Sequence, residues 1–374
     1  MTGSAEQFPM YGGILEIDLD ALADNWRSLD RLSGKAETAA VLKANAYGTG
    51  IEMAGPALHA AGCRTFFVAL PEEGIRLRAV LPTARIFILH GLFEGAEELY
   101  CEHRLIPLLN TLDEIARWQI TARMRNTILP AAIHLDTGMT RLGLDLADVL
   151  KLQSDPSRLT GIDVSFWASH LACGDEPDHA MNAAQLRRFN AMRAMVPAAP
   201  GSLANSAGIH LGADYHFDLV RPGIALYGGN PTPDPVTRPR PVVHLKARIL
   251  QVHSVSEPET VGYGATHTVS GRADIATVSV GYADGYLRAL GGKGYGMIGD
   301  KRVPIAGRVS MDLITFDVTA IPAEQRRPGQ WISLIGGGVE LDDLAACAGT
   351  IAYELLTGLG ARYQRIYRGG AETT

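Results

Sequence analysis

Eight short apolar runs, separated by stretches of helical periodicity, fill residues 38–228, and that alternation leaves few folds open. The runs are Ala39–Ala44, Thr65–Leu70, Arg85–His90, Leu105–Asn110, Ala131–Asp136, Ile162–His170, Ser202–Ser206 and Phe217–Tyr227. Between most of them lie segments such as Glu52–Ala61, Glu94–His103 and His179–Met195, with apolar residues three and four positions apart. That spacing marks one face of an α-helix, whereas the short continuous runs suit strands buried on both faces. Strands alternating with helices build a parallel α/β sheet, and eight such units close into a (β/α)8 TIM-like barrel. A further strand-like run, Ile14–Leu19, and a helical segment, Ala21–Leu32, precede the eight units and are free to pack elsewhere.

The pattern changes after Tyr227. Residues Gly228–Pro241 hold five prolines, which suits a crossing loop better than a regular element. Beyond it come β-branched runs at Val242–Val255, Ile275–Val280, Ile314–Val318 and Trp331–Leu334, spaced by turns such as Gly291–Gly296 and Arg302–Gly307. One late helix is expected over Leu341–Leu356. At 374 residues the chain is too long for one small core. The expected division is therefore a barrel over residues 1–240, with 1–13 as an extension, and a mainly β domain over 241–374.

Composition narrows the function classes. The chain is 47% hydrophobic and 20% charged, as ordinary globular proteins are. A net charge of −6 without any long basic run points away from nucleic acid and anionic membranes. No apolar run is long enough to span a bilayer, and Met1–Gly13 lacks the basic and apolar regions of a secretory leader. The four cysteines, Cys63, Cys101, Cys173 and Cys347, are scattered without CxxC spacing, so neither a metal site nor a disulfide framework is expected. A cytoplasmic protein is the expectation.

In a barrel of this kind reactive groups sit at the C-terminal ends of the strands. Lys43 ends the first run, Asp136 the fifth, His170 the sixth and Ser206 the seventh, while Arg221 lies within the eighth. A lysine held against apolar surroundings is disposed to lose its proton, and can then form a Schiff base with a carbonyl cofactor such as pyridoxal phosphate. Tyr47 belongs to the same loop and is placed to reach a phosphate or a substrate. Each residue also has a plain structural role open to it: a solvated lysine, a turn-capping aspartate, a core histidine. Convergence of all five on one rim is what favours chemistry.

Motifs along nearly the whole chain resemble those of the alanine racemases. They include Lys43-Ala44-Asn45-Ala46-Tyr47-Gly48, His134-Leu135-Asp136-Thr137-Gly138-Met139-Thr140-Arg141-Leu142-Gly143 and Ser169-His170. Ala204-Asn205-Ser206 and Val220-Arg221-Pro222-Gly223-Ile224-Ala225-Leu226-Tyr227-Gly228 follow in the same order and spacing. In the second domain come Gly262-Tyr263-Gly264-Ala265-Thr266, Gly281-Tyr282-Ala283-Asp284-Gly285 and Gly307-Arg308-Val309-Ser310-Met311-Asp312.

This resemblance implies pyridoxal phosphate bound to Lys43, with Tyr47, Ser206, Gly223 and Ile224 at its phosphate, His170 beside its ring and Asn205 also among the cofactor-binding residues. It implies that Arg221 faces the pyridine nitrogen. A guanidinium cannot accept the pyridinium proton, so the ring is a weaker electron sink and racemisation is favoured over transamination. Arg141 matches an arginine that contacts the cofactor's phenolic oxygen and the substrate. Lys43 and Tyr263 match the two proton-transfer groups, the lysine acting on D-alanine and the tyrosine on L-alanine. A tyrosine of ordinary pKa, about 10, is a poor base at neutral pH unless its surroundings stabilise the phenolate. Tyr263 is implied to enter the active site of a partner subunit, so the protein is expected to be a homodimer. Met311 and Asp312 match substrate-binding positions in that partner site, and Tyr282 an entrance residue. D-alanine for peptidoglycan is the product role the family implies.

Two departures from the family pattern stand out. The chain reads Tyr47-Gly48-Thr49-Gly50 where a histidine commonly follows the first glycine. His134 stands where several members carry a carbamylated lysine that orients the arginine matching Arg141. A histidine cannot be carbamylated in that way, so a bound anion or a different hydrogen-bond network is expected to position Arg141. Among rival readings, a barrel-type amino-acid decarboxylase places a carboxylate at the pyridine nitrogen, against Arg221. A non-catalytic pyridoxal-phosphate carrier has a single barrel, against the long segment after Pro241. A serine or broad-specificity racemase is the remaining alternative, because side-chain placement sets the pocket volume and one methyl or hydroxyl changes discrimination only modestly.

Overall fold

The computed structural model describes residues 10–256 and 259–370. The expected N-terminal extension falls largely on residues 1–9, outside the described residues.

Seven parallel strands run in sequence order: Ala40–Val41, Thr65–Val68, Arg85–Ile88, Ile106–Leu109, Leu129–His134, Ile162–Ala168 and Gly201–Ser202. The eighth, Leu219–Val220, pairs in parallel with Glu37–Thr38, which leads directly into the first strand. Backbone bonds from Ala39 N to Val220 O (3.0 Å) and from Val41 N to Pro222 O (3.0 Å) close the barrel on that side. On the other side, Asp218 N donates to Gly201 O (3.0 Å) and Arg221 N to Ala204 O (2.9 Å). The expected α/β barrel is thus present. Phe67, Phe87 and Phe166, all buried, cluster within it: the rings of Phe67 and Phe87 stack 5.1 Å apart, and that of Phe166 lies 4.9 Å from Phe87 and 6.0 Å from Phe67. Helices start where short polar side chains can take orphan backbone donors. Thr111 accepts from Glu114 N (3.1 Å), Asp145 from Asp148 N (2.8 Å) and Asn205 from Gly208 N (2.9 Å).

The first strand of the chain, Gly13–Asp18, lies outside the barrel although it falls within the expected barrel segment 1–240. It pairs antiparallel with Val243–Val255 and parallel with Gln364–Arg368, at the heart of the C-terminal sheet. The cause is its alternation: Leu15 and Ile17 are fully buried while their neighbours are not, as in a strand between a core and a half-open face. The thirteen-residue strand Val243–Val255 also pairs with Trp331–Ile335 and, past an irregularity near Gln251, with Ala273–Val278. Ile314–Asp317 and the hairpin Tyr295–Ile298/Lys301–Pro304 complete a mainly β unit. The single helix expected over Leu341–Leu356 is two, Leu341–Ala348 and Ala352–Thr357, parted at Gly349, whose φ of 73° ends the first.

Candidate active site

At the C-terminal ends of the barrel strands lies a cavity of about 290 Å3. Lys43, Tyr47, Arg141, His170, Asn205, Ser206, Arg221, Gly223 and Ile224 all line it, so every barrel residue matched to cofactor binding meets in one place. Among the described residues no carboxylate lines it.

Lys43 sits just beyond its strand, in an unusual turn. Ala44, Asn45, Ala46 and Tyr47 all have φ between 53° and 55°, so four consecutive L-residues adopt the left-handed region. At roughly 1–2 kcal/mol per residue the turn stores on the order of 4–8 kcal/mol. Its own bonds, Ala46 N to Leu42 O (2.8 Å) and Gly48 N to Ala44 O (2.9 Å), are those of a helical turn of the wrong hand. Outside contacts fasten it. Asn45 Oδ1 accepts from Ile51 N (3.1 Å) and Arg76 Nη2 (2.8 Å). Arg365 donates to Gly48 O (2.6 Å) and Tyr367 to Thr49 O (2.9 Å), both from the last strand of the β unit. Burial lowers the pKa of Lys43, the cation of Arg141 lowers it further, and Glu73 opposes them. The amine is thereby shifted toward its neutral, nucleophilic form.

Arg221 lies buried beneath the cavity. It donates to Ser169 O (2.5 Å), to Leu203 O (3.5 Å) and to Ser202 Oγ. Burial pushes its pKa down to about 10, which leaves it cationic at neutral pH. Among the described residues no carboxylate pairs with it. His170 is held in place by Gln185, which donates to His170 O (2.8 Å) and accepts from Ala172 N (2.8 Å). Burial first, then the cations of Arg221 and Arg141, hold His170 well below the usual histidine range, so it is neutral.

Ser206 Oγ accepts from Gly223 N (2.7 Å) and Ala225 N (3.4 Å), bringing a hydroxyl and backbone donors together. A side chain at residue 223 would put its Cβ 2.3 Å from Tyr47 Oη, so only glycine lets that phenol reach the cradle. Tyr47 stacks on Tyr227 (4.5 Å between ring centres), and Tyr227 Oη donates to Val41 O (2.9 Å). Burial pushes Tyr47 up and Tyr353 up to about 12, so both phenols keep their protons and serve as donors.

Some placements differ from expectation. Asp136 does not line the cavity: its Oδ1 accepts from Gly138, Met139 and Thr140 N (2.9, 3.0 and 3.1 Å), the turn-capping role. The loop it braces returns to the barrel through Leu144 N to His134 O (2.8 Å), which leaves Arg141 and Leu142 at the cavity mouth. His134 Nδ1 pairs with Asn110 Oδ1 (2.9 Å). Because Asn110 Nδ2 donates to Leu108 O (2.9 Å), its oxygen faces the ring and Nδ1 carries the proton. Burial, then the cations of Arg221 and Arg141, lower His134 to about 4, so a neutral imidazole borders the cavity there.

Tyr263, Tyr282, Met311 and Asp312 do not line the cavity of their own chain. Tyr263 is 74% exposed on a turn of the β unit, and Met311 and Tyr282 are exposed beside each other, with Tyr282 N bonded to Ser310 O (3.0 Å). Asp312 pairs with Arg362 (2.8 Å). Two residues escaped the sequence reading. Tyr353 lines the cavity from the helix Ala352–Thr357, its ring 6.0 Å from that of Tyr47. Glu73, on the helix Pro71–Val80, is buried against the Lys43 turn. A lone tyrosine and one of two adjacent glutamates carry no local signal that sets them apart.

Known proteins agree with this geometry. The sequence profile of the alanine racemase N-terminal domain matches residues 17–231, and that of the alanine racemase C-terminal domain matches 242–367. An alanine racemase of Rhodospirillum rubrum is 49% identical, covering 96% of each chain. A protein of Agrobacterium fabrum described as a biosynthetic alanine racemase is 47% identical, over 98% of this chain and 95% of its own. The crystal structure of alanine racemase from Bartonella henselae with covalently bound pyridoxal phosphate superposes with a TM-score of 0.92 at 41% identity, covering 96% of this chain and all of its own. The chain belongs to the alanine racemase family.

Proposed function

We propose that this protein interconverts L- and D-alanine with pyridoxal phosphate, as a cytoplasmic homodimer whose two active sites each draw residues from both chains. The observation that carries the reading is the pairing of a lysine shifted toward its neutral form with a buried arginine that no carboxylate accompanies. The division near residue 241 belongs to the same proposal, supported by the break between the two matched family segments.

The donor set fits the cofactor. Lys43 would hold it covalently through Nζ. Ser206 Oγ, the Gly223 and Ile224 backbone and the protonated Tyr47 and Tyr353 form a neutral cradle for its phosphate, within a cavity whose only charged side chains among the described residues are basic. Glycine at 223 is the one residue that leaves this cradle open. When bound, the cofactor supplies a conjugated ring that withdraws electrons from the substrate Cα and makes its proton removable. Arg221, charged and tied to main-chain and hydroxyl oxygens, cannot take up a proton from the ring nitrogen it would face. Neutral His170 and neutral His134 keep further positive charge away from that side, and with its proton on Nδ1 His134 keeps Nε2 as an acceptor.

Inversion requires one proton to leave Cα on one face and another to arrive on the opposite face. Lys43 serves the first face. The partner's Tyr263 serves the second; its 74% exposure within one chain, and its place outside the lining of its own cavity, support delivery to a neighbour. Protons taken and given balance, and nothing is oxidised or lost as carbon dioxide. At about 290 Å3 the cavity is at the small end of ligand pockets, in keeping with a cofactor and a substrate as small as alanine. The product role proposed is D-alanine for peptidoglycan.

Shared sites have a direct test. Lys43→Ala and Tyr263→Phe proteins should each be nearly inactive, and mixing them under conditions that exchange subunits should restore activity, because one site in each hybrid then has both groups. No recovery from demonstrated hybrids would remove the shared site.

A further inference from the structure

We propose that Glu73 is a positioning residue for Lys43, acting by clamping the left-handed turn that carries the lysine; the proposal rests on the function inferred above. The Glu73 carboxylate is buried, and among the described residues it forms no ion pair. It accepts instead from three backbone donors: Asn45 N on Oε1 (3.1 Å), and Ala69 N (2.9 Å) and Leu70 N (3.2 Å) on Oε2. Asn45 N–H lies at the second residue of the left-handed stretch, and it is not among the donors Ala46, Gly48, Thr49 and Gly50 N that bond to carbonyls of the turn. Glu73 therefore does for this turn what a capping side chain does for a helix start. It also ties the turn to the loop after the second barrel strand, Thr65–Val68, so the lysine is referenced to the barrel wall on both sides.

The need for such a clamp follows from the backbone. Four consecutive residues with side chains occupy a region that L-residues avoid, so the segment relaxes unless its surroundings over-determine it. Relaxation would swing Lys43 Nζ, since Ala44 directly follows it in the strained stretch. A glutamine cannot replace the carboxylate. Both oxygens of Glu73 receive N–H groups, so a glutamine amide must turn its own NH2 toward one set of donors. The strain also provides a specific remedy: glycine takes the left-handed region freely. Ala44 is exposed, so glycine there relieves strain without opening the core.

The test is hydrogen–deuterium exchange of the full-length protein, with and without pyridoxal phosphate, together with steady-state kinetics. In E73Q, residues 43–50 should exchange roughly tenfold faster or more while the flanking barrel strands keep their protection. kcat should fall about tenfold or more with KM within about threefold, because a displaced base costs the proton-transfer step more than binding. Adding A44G to E73Q should recover a large part of both losses, which a packing role for Glu73 would not allow. Wild-type exchange and wild-type kcat in E73Q would overturn the proposal, as would failure of A44G to rescue. Should E73Q not fold, A44G alone decides: slower exchange over 43–50 supports the clamp against strain, and unchanged or faster exchange refutes it. Borohydride reduction of the wild type, followed by peptide mapping, reports separately whether Lys43 carries the cofactor. A failure of that reading is thus distinguishable from a failure of the clamp.

Discussion

Replacing His134 by asparagine should change how stability depends on pH, in a direction and amount the site dictates. His134 is buried with Nδ1 bonded to Asn110, and burial lowers it from 6.5 to about 4. Between those two values the unfolded chain binds a proton that the folded chain refuses. Stability from this residue is therefore whole above 6.5, declines as pH falls through the window and is gone below 4. The full difference is about 3 kcal/mol, and the part lost between pH 7 and pH 5 is roughly 2 kcal/mol. An asparagine amide can donate to Asn110 as Nδ1 does, but it has no proton equilibrium in this range. Urea unfolding of wild type and H134N at one fixed protein concentration, near pH 7 and near pH 5, should give stability gaps that differ by about 2 kcal/mol, the variant losing less on acidification. Curves that stay parallel would mean that His134 takes up its proton as readily when folded as when unfolded. The account of a neutral imidazole beside Arg141 would then fail.

Other perturbations read the chemistry more directly. Tyr263→Phe should lower kcat by roughly 10²–10⁴ and, in deuterated solvent, should suppress Cα exchange from L-alanine more than from D-alanine; equal suppression would contradict a face-specific role. Arg221→Glu offers the ring nitrogen a carboxylate, so slow keto-acid formation from alanine should rise relative to racemisation, measured by coupled pyruvate detection; an unchanged ratio would contradict the role given to the cation. Gly223→Ala would drive its Cβ to 2.3 Å from Tyr47 Oη, and should weaken cofactor binding about tenfold or more with melting temperature little changed; unchanged binding by absorbance titration would contradict the cradle.

Much of the site was readable from the chain because its residues sit in contiguous motifs at the ends of successive barrel strands. Lys43, His170, Ser206 and Arg221 each follow or close an apolar run, and barrel closure alone brings them together. What escaped depends on contacts between distant segments. Tyr353 reaches the cavity only because the β unit folds back over the Lys43 turn, where Arg365 and Tyr367 also bind. Glu73 matters through the left-handed geometry of residues 44–47, and Ala-Asn-Ala-Tyr contains no glycine to announce a positive φ. Gly13–Asp18 alternates clearly as a strand, yet which sheet it joins is decided by partners 230 residues later, at Val243–Ala247. Asp136 shows the opposite error, since a carboxylate at a strand end caps a turn as readily as it touches a ligand. The break at Gly349 was missed in the sequence, where one helix was expected across it; its positive φ ends the helix Leu341–Ala348.

Inversion at Cα by groups on opposite faces breaks no other bond of the substrate. The protein loaded with pyridoxal phosphate should carry the optical rotation of L-alanine to zero, and that of D-alanine to the same end point, with neither keto acid nor amine formed. A rotation that holds constant while the yellow, cofactor-bound protein stays intact, or that falls only as an amine appears, would contradict it.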